Sequence, residues 1–187
     1  MNFVKTHNLV CPIDGKNLDC LEKQYICENG HTYDIARQGY VNLLPVQHKR
    51  SKNPGDSKAM VIARKLFLDT GIYQPIAAKL TDLVLAQLQA AENHCLLDAG
   101  CGEAYYTDAV FKALCDNDSS TDFSLIGLDI SKDAIIQSTK RNKQIDWVVA
   151  TNRQLPVKDE SVDIILCLFG FLSVESFAKA LKPNGKI

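Results

Sequence analysis

Two groups of residues in the 187-residue chain have types and spacings that could do chemistry. In the first, Cys11-Pro12-Ile13-Asp14 and Cys27-Glu28-Asn29-Gly30-His31 each place two potential metal ligands on a segment rich in turn formers. Ligand pairs on two such knuckles can close a tetrahedron around zinc. Asp14 stands where a Cys-x-x-Cys pair would have its second thiol. It can ligate through oxygen, or Cys20 can swing in instead. The second group is Asp98-Ala99-Gly100-Cys101-Gly102-Glu103, followed by Asp129 at the end of Gly127-Leu128-Asp129. Glycines let a backbone turn sharply and approach a ligand closely. A dinucleotide fingerprint would need a third glycine, and Tyr105 occupies that position. A carboxylate such as Asp129 at a strand end can accept from two ribose hydroxyls, and Asp98 suits an ammonium group.

The elements that must position these residues follow from periodicity and punctuation. Leu9-Val10-Cys11 and Gln24-Tyr25-Ile26-Cys27 read as short extended stretches, each followed by turn residues. A module this small needs a staple, and bound metal is the usual one inside cells. Asp56 or Ser57 can cap a helix through Met60 to Leu68 that Gly71 ends, and a second helix fits Pro75 to Ala91. Strands at Cys95–Asp98, Phe123–Leu128 and Asp146–Ala150 then alternate with helices at Tyr106–Leu114 and Lys132–Asn142. Val162–Phe169 is a continuous apolar run, expected of a strand buried on both faces. Val174–Leu181 is the next helix, and Lys186-Ile187 begins a further element. This alternation calls for a parallel, doubly wound α/β sheet.

Composition narrows the class. The net charge is −1, but from Arg37 to Lys65 seven basic residues face the single acid Asp56. Lys49, Arg50 and Lys52 are the core of that stretch, and a phosphate backbone is the partner it suggests. No apolar run reaches the length of a membrane span, and the N-terminus lacks the pattern of a secretory signal. A cytoplasmic protein with thiols rather than disulfides is expected.

Longer motifs carry a specific resemblance. The glycine loop, Asp129, Leu155-Pro156-Val157 with Asp159 and Asp163, and Lys182-Pro183-Asn184-Gly185 follow in the order found in class I methyltransferases. Tyr25-Ile26-Cys27, Tyr40-Val41-Asn42-Leu43-Leu44-Pro45, Asn53-Pro54-Gly55-Asp56 and Gly71-x-Tyr73-Gln74-Pro75 are not general to that class. With them the whole chain resembles the bacterial 23S rRNA guanine-N1 methyltransferases. The resemblance implies a zinc-ribbon-like module over residues 1–36 that helps recognise an rRNA hairpin, and a basic connector and helix over 37–70. It implies an S-adenosylmethionine-binding Rossmann-like domain over 71–187, without the C-terminal strands of the family's sheet. Tyr73, Asp98, Gly100, Gly102, Glu103, Asp129 and Asn152 would hold the cofactor; Cys11, Asp14 or Cys20, Cys27 and His31 the zinc; Lys49, Arg50 and Lys52 the RNA. No residue stands out as the catalytic base. A shortened, non-catalytic RNA-binding chain and a small-molecule methyltransferase are the rival readings, and a homodimer is left open.

Overall fold

The computed structural model describes residues 1–46, 53–88, 93–117 and 121–187. The first apolar stretch is shorter than expected. Leu9 and Val10 form single bridges to Val157 and Asn17 instead of a strand, because the chain turns at once through Cys11 to Gly15, where Gly15 N–H donates to Cys11 C=O at 2.8 Å. After strand β1 (Asn2–Phe3), β2 (Leu18–Cys20), β3 (Gln24–Cys27) and β4 (Thr32–Asp34) form a three-stranded antiparallel sheet, the N-terminal ribbon. β5 (Tyr40–Asn42) then leads toward helices α1 (Lys58–Leu68) and α2 (Gln74–Gln87). The Ser57 hydroxyl caps α1 by accepting from Met60 N–H.

The second half alternates as its periodicity predicts. β6 (Asn93–Ala99), α3 (Tyr105–Cys115), β7 (Asp122–Asp129), α4 (Lys132–Arg141) and β8 (Asp146–Val149) are followed by β9 (Val162–Leu166), α5 (Val174–Ala180) and β10 (Leu181–Lys186). The main sheet runs β10-β9-β6-β7-β8-β5, with β1 beside the start of β7, and every pairing is parallel. Successive strands build outward from β6 through β7 to β8, then the chain crosses to β9 on the other side of β6. That reversal opens a crevice at the carboxyl ends of β6 and β9, where open parallel sheets bind ligands.

Three departures from the sequence reading have physical causes. Residues 40–42, taken as connector, are a strand: Tyr40 and Val41 are buried and pair with Trp147 and Val148, so they close an edge that β8 would otherwise expose. The apolar run from Val162 stops being a strand at Leu166, where its pairing with β6 ends opposite Asp98. The Lys182–Lys186 segment is itself strand β10, with a register break between Leu181 and Lys186.

Side chains alternate between two cores. Leu96, Leu125, Trp147 and Val149 face helices α2 and α3 with Val84, Val110 and Phe111. Leu97, Ile126, Leu128 and Val148 face the opposite way, and there the ribbon's Leu9, Leu18 and Tyr25 join them with Phe177 of α5. Among the described residues no helix is long and apolar enough to cross a membrane.

Gly127 is where two strands need a missing side chain. A Cβ there would lie 2.1 Å from Cζ3 and 2.4 Å from Cε3 of the buried Trp147 ring, whose Nε1–H donates to Asn142 C=O at 2.7 Å. Gly127→Ala should therefore destabilise the chain by about 2–3 kcal/mol through overpacking. Equilibrium urea unfolding checks this, and an unchanged midpoint would contradict the packing.

Candidate functional site

The two knuckles of the ribbon bring one set of predicted ligands together. Cys11 lies before the Gly15 turn, and Cys27 ends β3 before the Gly30 turn, so the strand pairing of the ribbon holds them face to face. Ligand atoms of Cys11, Asp14, Cys27 and His31 all lie within 4.8 Å of one another. His31 Nδ1 is 3.1 Å from Asp14 Oδ2, 3.4 Å from Cys27 Sγ and 3.5 Å from Cys11 Sγ, and Cys27 Sγ is 3.6 Å from Asp14 Oδ2. A tetrahedron with ordinary zinc–sulfur, zinc–nitrogen and zinc–oxygen bonds has edges of about 3.3–3.8 Å, so the donor set fits that ion. Of the two fourth-ligand candidates, Asp14 is in the cluster. Cys20 is exposed on β2, with its thiol 3.5 Å from Leu21 C=O. The Asn29 amide donates to Asp14 Oδ2 at 2.9 Å and holds the carboxyl well below its ordinary range, with its charge available to a cation. The Tyr33 hydroxyl, 3.1 Å from Cys11 Sγ, orients that sulfur.

The second set lines a cavity of about 670 Å³ at the crevice of the main sheet. Six of the seven predicted cofactor residues are in its wall: Tyr73, Gly100, Gly102, Glu103, Asp129 and Asn152. Gly100 and Gly102 adopt φ of 106° and 56°, which glycine alone takes without strain, and they turn the chain from β6 into α3. Ala104, the N-cap of α3, sits at φ 71°, a conformation costing about 1–2 kcal/mol for an L residue.

Asp129 fastens this loop. Its Oδ2 accepts from Gly102 N–H at 3.0 Å and its Oδ1 from Ser131 N–H at 2.7 Å. A carboxylate has about four lone-pair sites, so each oxygen can still accept once more from a ligand hydroxyl. Asn152 donates from one nitrogen to Ala99 C=O and Phe171 C=O, at 3.0 and 2.9 Å, which leaves its carbonyl oxygen as an acceptor. Glu103 is tied to the protein: Arg141 grips Oε2 at 2.8 Å and also reaches Asp69, while Oε1 is buried without a partner among the described residues. Burial raises Glu103 and the Arg141 charge opposes it. Burial likewise pushes the Cys101 thiol far up, so it is no nucleophile at neutral pH.

Asp98 is the exception, because it lies behind the loop instead of in the wall. It is buried, and Thr107 Oγ1–H donates to its Oδ2 at 2.6 Å. The basic residues Lys49, Arg50 and Lys52 lie outside the described residues. Sequence reasoning missed other wall residues: Asp56 and Arg64, an ion pair at 2.6 Å, and Tyr106, Arg153, Phe169 and Phe171. Asp56 was visible as a helix cap and as the end of the Asn53–Asp56 motif, and Phe169 only as part of an apolar run. Nothing in the sequence marked Arg141 as the partner of Glu103.

A glycine loop at the switch point, with an acid ending the neighbouring strand, is the ligand site of a class I methyltransferase fold. Residues 97–186 match the family described as Methyltransferase domain, and residues 9–52 match the one described as RlmA, N-terminal. In order along the chain, it is thus similar to an RlmA-type N-terminal domain and then to a methyltransferase domain. It is 30% identical over 180 residues to the 23S rRNA (guanine(748)-N(1))-methyltransferase of Streptomyces fradiae, covering 96% of this chain and 61% of that protein. It is also 30% identical to a Bacillus subtilis protein bearing a 23S rRNA (guanine-N(1)-)-methyltransferase name, over 95% of this chain and 61% of that one. The chain therefore spans about three fifths of the length of these curated relatives. Among solved structures, a Methanococcus maripaludis protein described as an S-adenosyl-L-methionine-dependent methyltransferase superposes with a TM-score of 0.58 at 20% identity. It covers 73% of this chain and 65% of that one, a likeness of fold.

Two outcomes are expected. Zinc should copurify with the chain, and Cys27→Ser should lose it and lower the melting temperature; unchanged zinc content and melting would contradict the four-ligand cluster. The second concerns Asp98, whose carboxyl burial raises to about 7, against the Thr107 hydrogen bond and with a push from Asp129. Between about pH 4 and 7 the folded chain keeps a proton there that the unfolded chain releases. Stability contributed by that proton falls as pH rises through this window and levels off above it. Asp98→Asn cannot ionise, so it should lose roughly 2 kcal/mol less stability than the wild type between pH 5 and 7.5, read from urea unfolding at both values.

Proposed function

We propose that the chain binds S-adenosylmethionine in the crevice and directs methyl transfer to N1 of a guanine in a 23S rRNA hairpin, in the cytoplasm. The observation that carries this reading is the joining of an RlmA-type ribbon to a methyltransferase sheet through one apolar core. The names of the relatives supply the substrate class.

The cofactor supplies an electrophilic methyl group on a sulfonium. The chain's part is to orient the partners and exclude water. Asp129 would accept from the ribose hydroxyls, the Gly100–Gly102 turn would let backbone meet the ligand, and the Asn152 carbonyl would face the adenine. All three carboxylates in the wall are already engaged: Asp56 by Arg64, Glu103 by Arg141 and Asp129 by backbone N–H groups. None is a free general base, so positioning is the larger part of what these residues contribute. Lys49, Arg50 and Lys52 would neutralise RNA phosphates, which makes binding fall with added salt.

The test is methyl transfer from labelled S-adenosylmethionine to unmodified 23S rRNA by the full chain. A primer-extension stop should appear at one guanine, since N1 methylation blocks pairing. Folded protein that binds the cofactor and transfers nothing would overturn the proposal. Asp129→Ala should weaken cofactor binding by at least tenfold, the value of one or two hydrogen bonds to a charged acceptor at about 1.5–3 kcal/mol each. Isothermal titration reads this directly.

A further inference from the structure

Six aromatic side chains meet in the cavity wall: Phe67, Tyr73, Tyr105, Tyr106, Phe169 and Phe171. Tyr105 and Tyr106 stand edge to face at 5.1 Å, and Tyr106 lies 6.4 Å from Phe169. Phe169 is the anomaly among them. It is 83% exposed, although its backbone is held at φ 58°, where a phenylalanine is strained. The neighbours show why it stays there. Gly170 is pressed so close to β6 that a Cβ would lie 3.0 Å from Ala99 C=O, and Phe171 C=O accepts from the Asn152 amide at 2.9 Å. The loop is pinned on both sides, and its geometry projects an apolar ring into solvent at the mouth of the pocket. Strain kept at a ligand site usually serves the ligand.

Sheet order says which ligand. Asp129 ends β7 and Phe169 follows β9, on opposite sides of β6 and its glycine loop. A nucleoside held by Asp129 therefore leaves the Phe169 side open. The Tyr106 hydroxyl there is buried with no partner among the described residues. Arg153 lies over the Phe171 ring at 4.6 Å and adds positive charge to the same rim. Exposed aromatic face, unmet hydroxyl and adjacent cation match a base with its flanking phosphate.

We propose that Phe169 is the platform on which an unstacked purine of the RNA substrate lies, with the Tyr106 hydroxyl facing a polar edge of that base. This rests on the reading of the substrate as RNA. Flipped bases are held against aromatic or apolar side chains in just this way, and stacking of this kind tolerates different bases because each has a π face.

The experiment uses the full chain and a short RNA hairpin with 2-aminopurine in its loop. Binding should change the 2-aminopurine emission. Phe169→Ala should raise the dissociation constant at least about tenfold and abolish the emission change, while Phe169→Trp stays within about threefold of the wild type. Both variants should keep wild-type melting, since the side chain is exposed. Equal hairpin affinity and emission for Phe169→Ala and wild type would overturn the platform, and so would failure of the wild type to bind the hairpin. Aromatic-dependent binding without methyl transfer to rRNA would leave the platform standing and count against the proposed function.

Discussion

The constraint on which most of this molecule depends is a single apolar core shared by the ribbon and one face of the parallel sheet. Leu9, Leu18 and Tyr25 bury against the same cluster as Leu97, Ile126 and Val148. Backbone hydrogen bonds stitch the seam, from Val10 N–H to Pro156 C=O at 3.0 Å and from Lys158 N–H to Asn8 C=O at 2.8 Å. The thiols of Cys11 and Cys27, two of the four candidate metal ligands, belong to that cluster as well. A metal at the knuckles would thus fix more than a small module. It would set where the ribbon sits relative to the crevice, and interiors packed at this density transmit such a constraint.

The crevice shows how a cluster of acids is kept quiet. Asp56 and Glu103 are paired with arginines, Asp129 with backbone donors, and Asp98 is raised by burial to about 7, so that it holds its proton below that pH. The unmet capacity is in acceptors, on Asp129 and on the Asn152 carbonyl. Such a surface suits a ligand rich in hydroxyl and amino donors, and it offers little to a second anion.

How far the sequence revealed this depends on whether a feature is local. The glycine turn, the strand-end acids and the Ser57 cap are set by a few neighbouring residues, and each is legible in the chain. The knuckle pairing was legible too, although the choice between Asp14 and Cys20 was not: Cys20 lies on β2 with its thiol at the Leu21 carbonyl, a matter of which face a strand presents. Glu103 with Arg141, and Phe169 with Gly170 against Ala99, depend on elements far apart in sequence. The role of Tyr40 and Val41 as an edge strand was hidden for the same reason. Three residues of strand carry no period, and only Trp147 and Val148 as partners make them one.

The outer strands also impose an order of events on the newborn chain. Asn2 finds its partner in Asp122, and Tyr40 finds Trp147 more than a hundred positions downstream. At ribosomal speeds of roughly 5–20 residues per second the first strand waits on the order of ten seconds for the one it pairs with. Non-local pairings of this kind also close slowly once both sides exist. The ribbon's apolar face, made early, must stay uncovered through that interval. The knuckles that could capture zinc are complete within the first 31 residues, so the ion could order this segment long before the sheet exists to receive it.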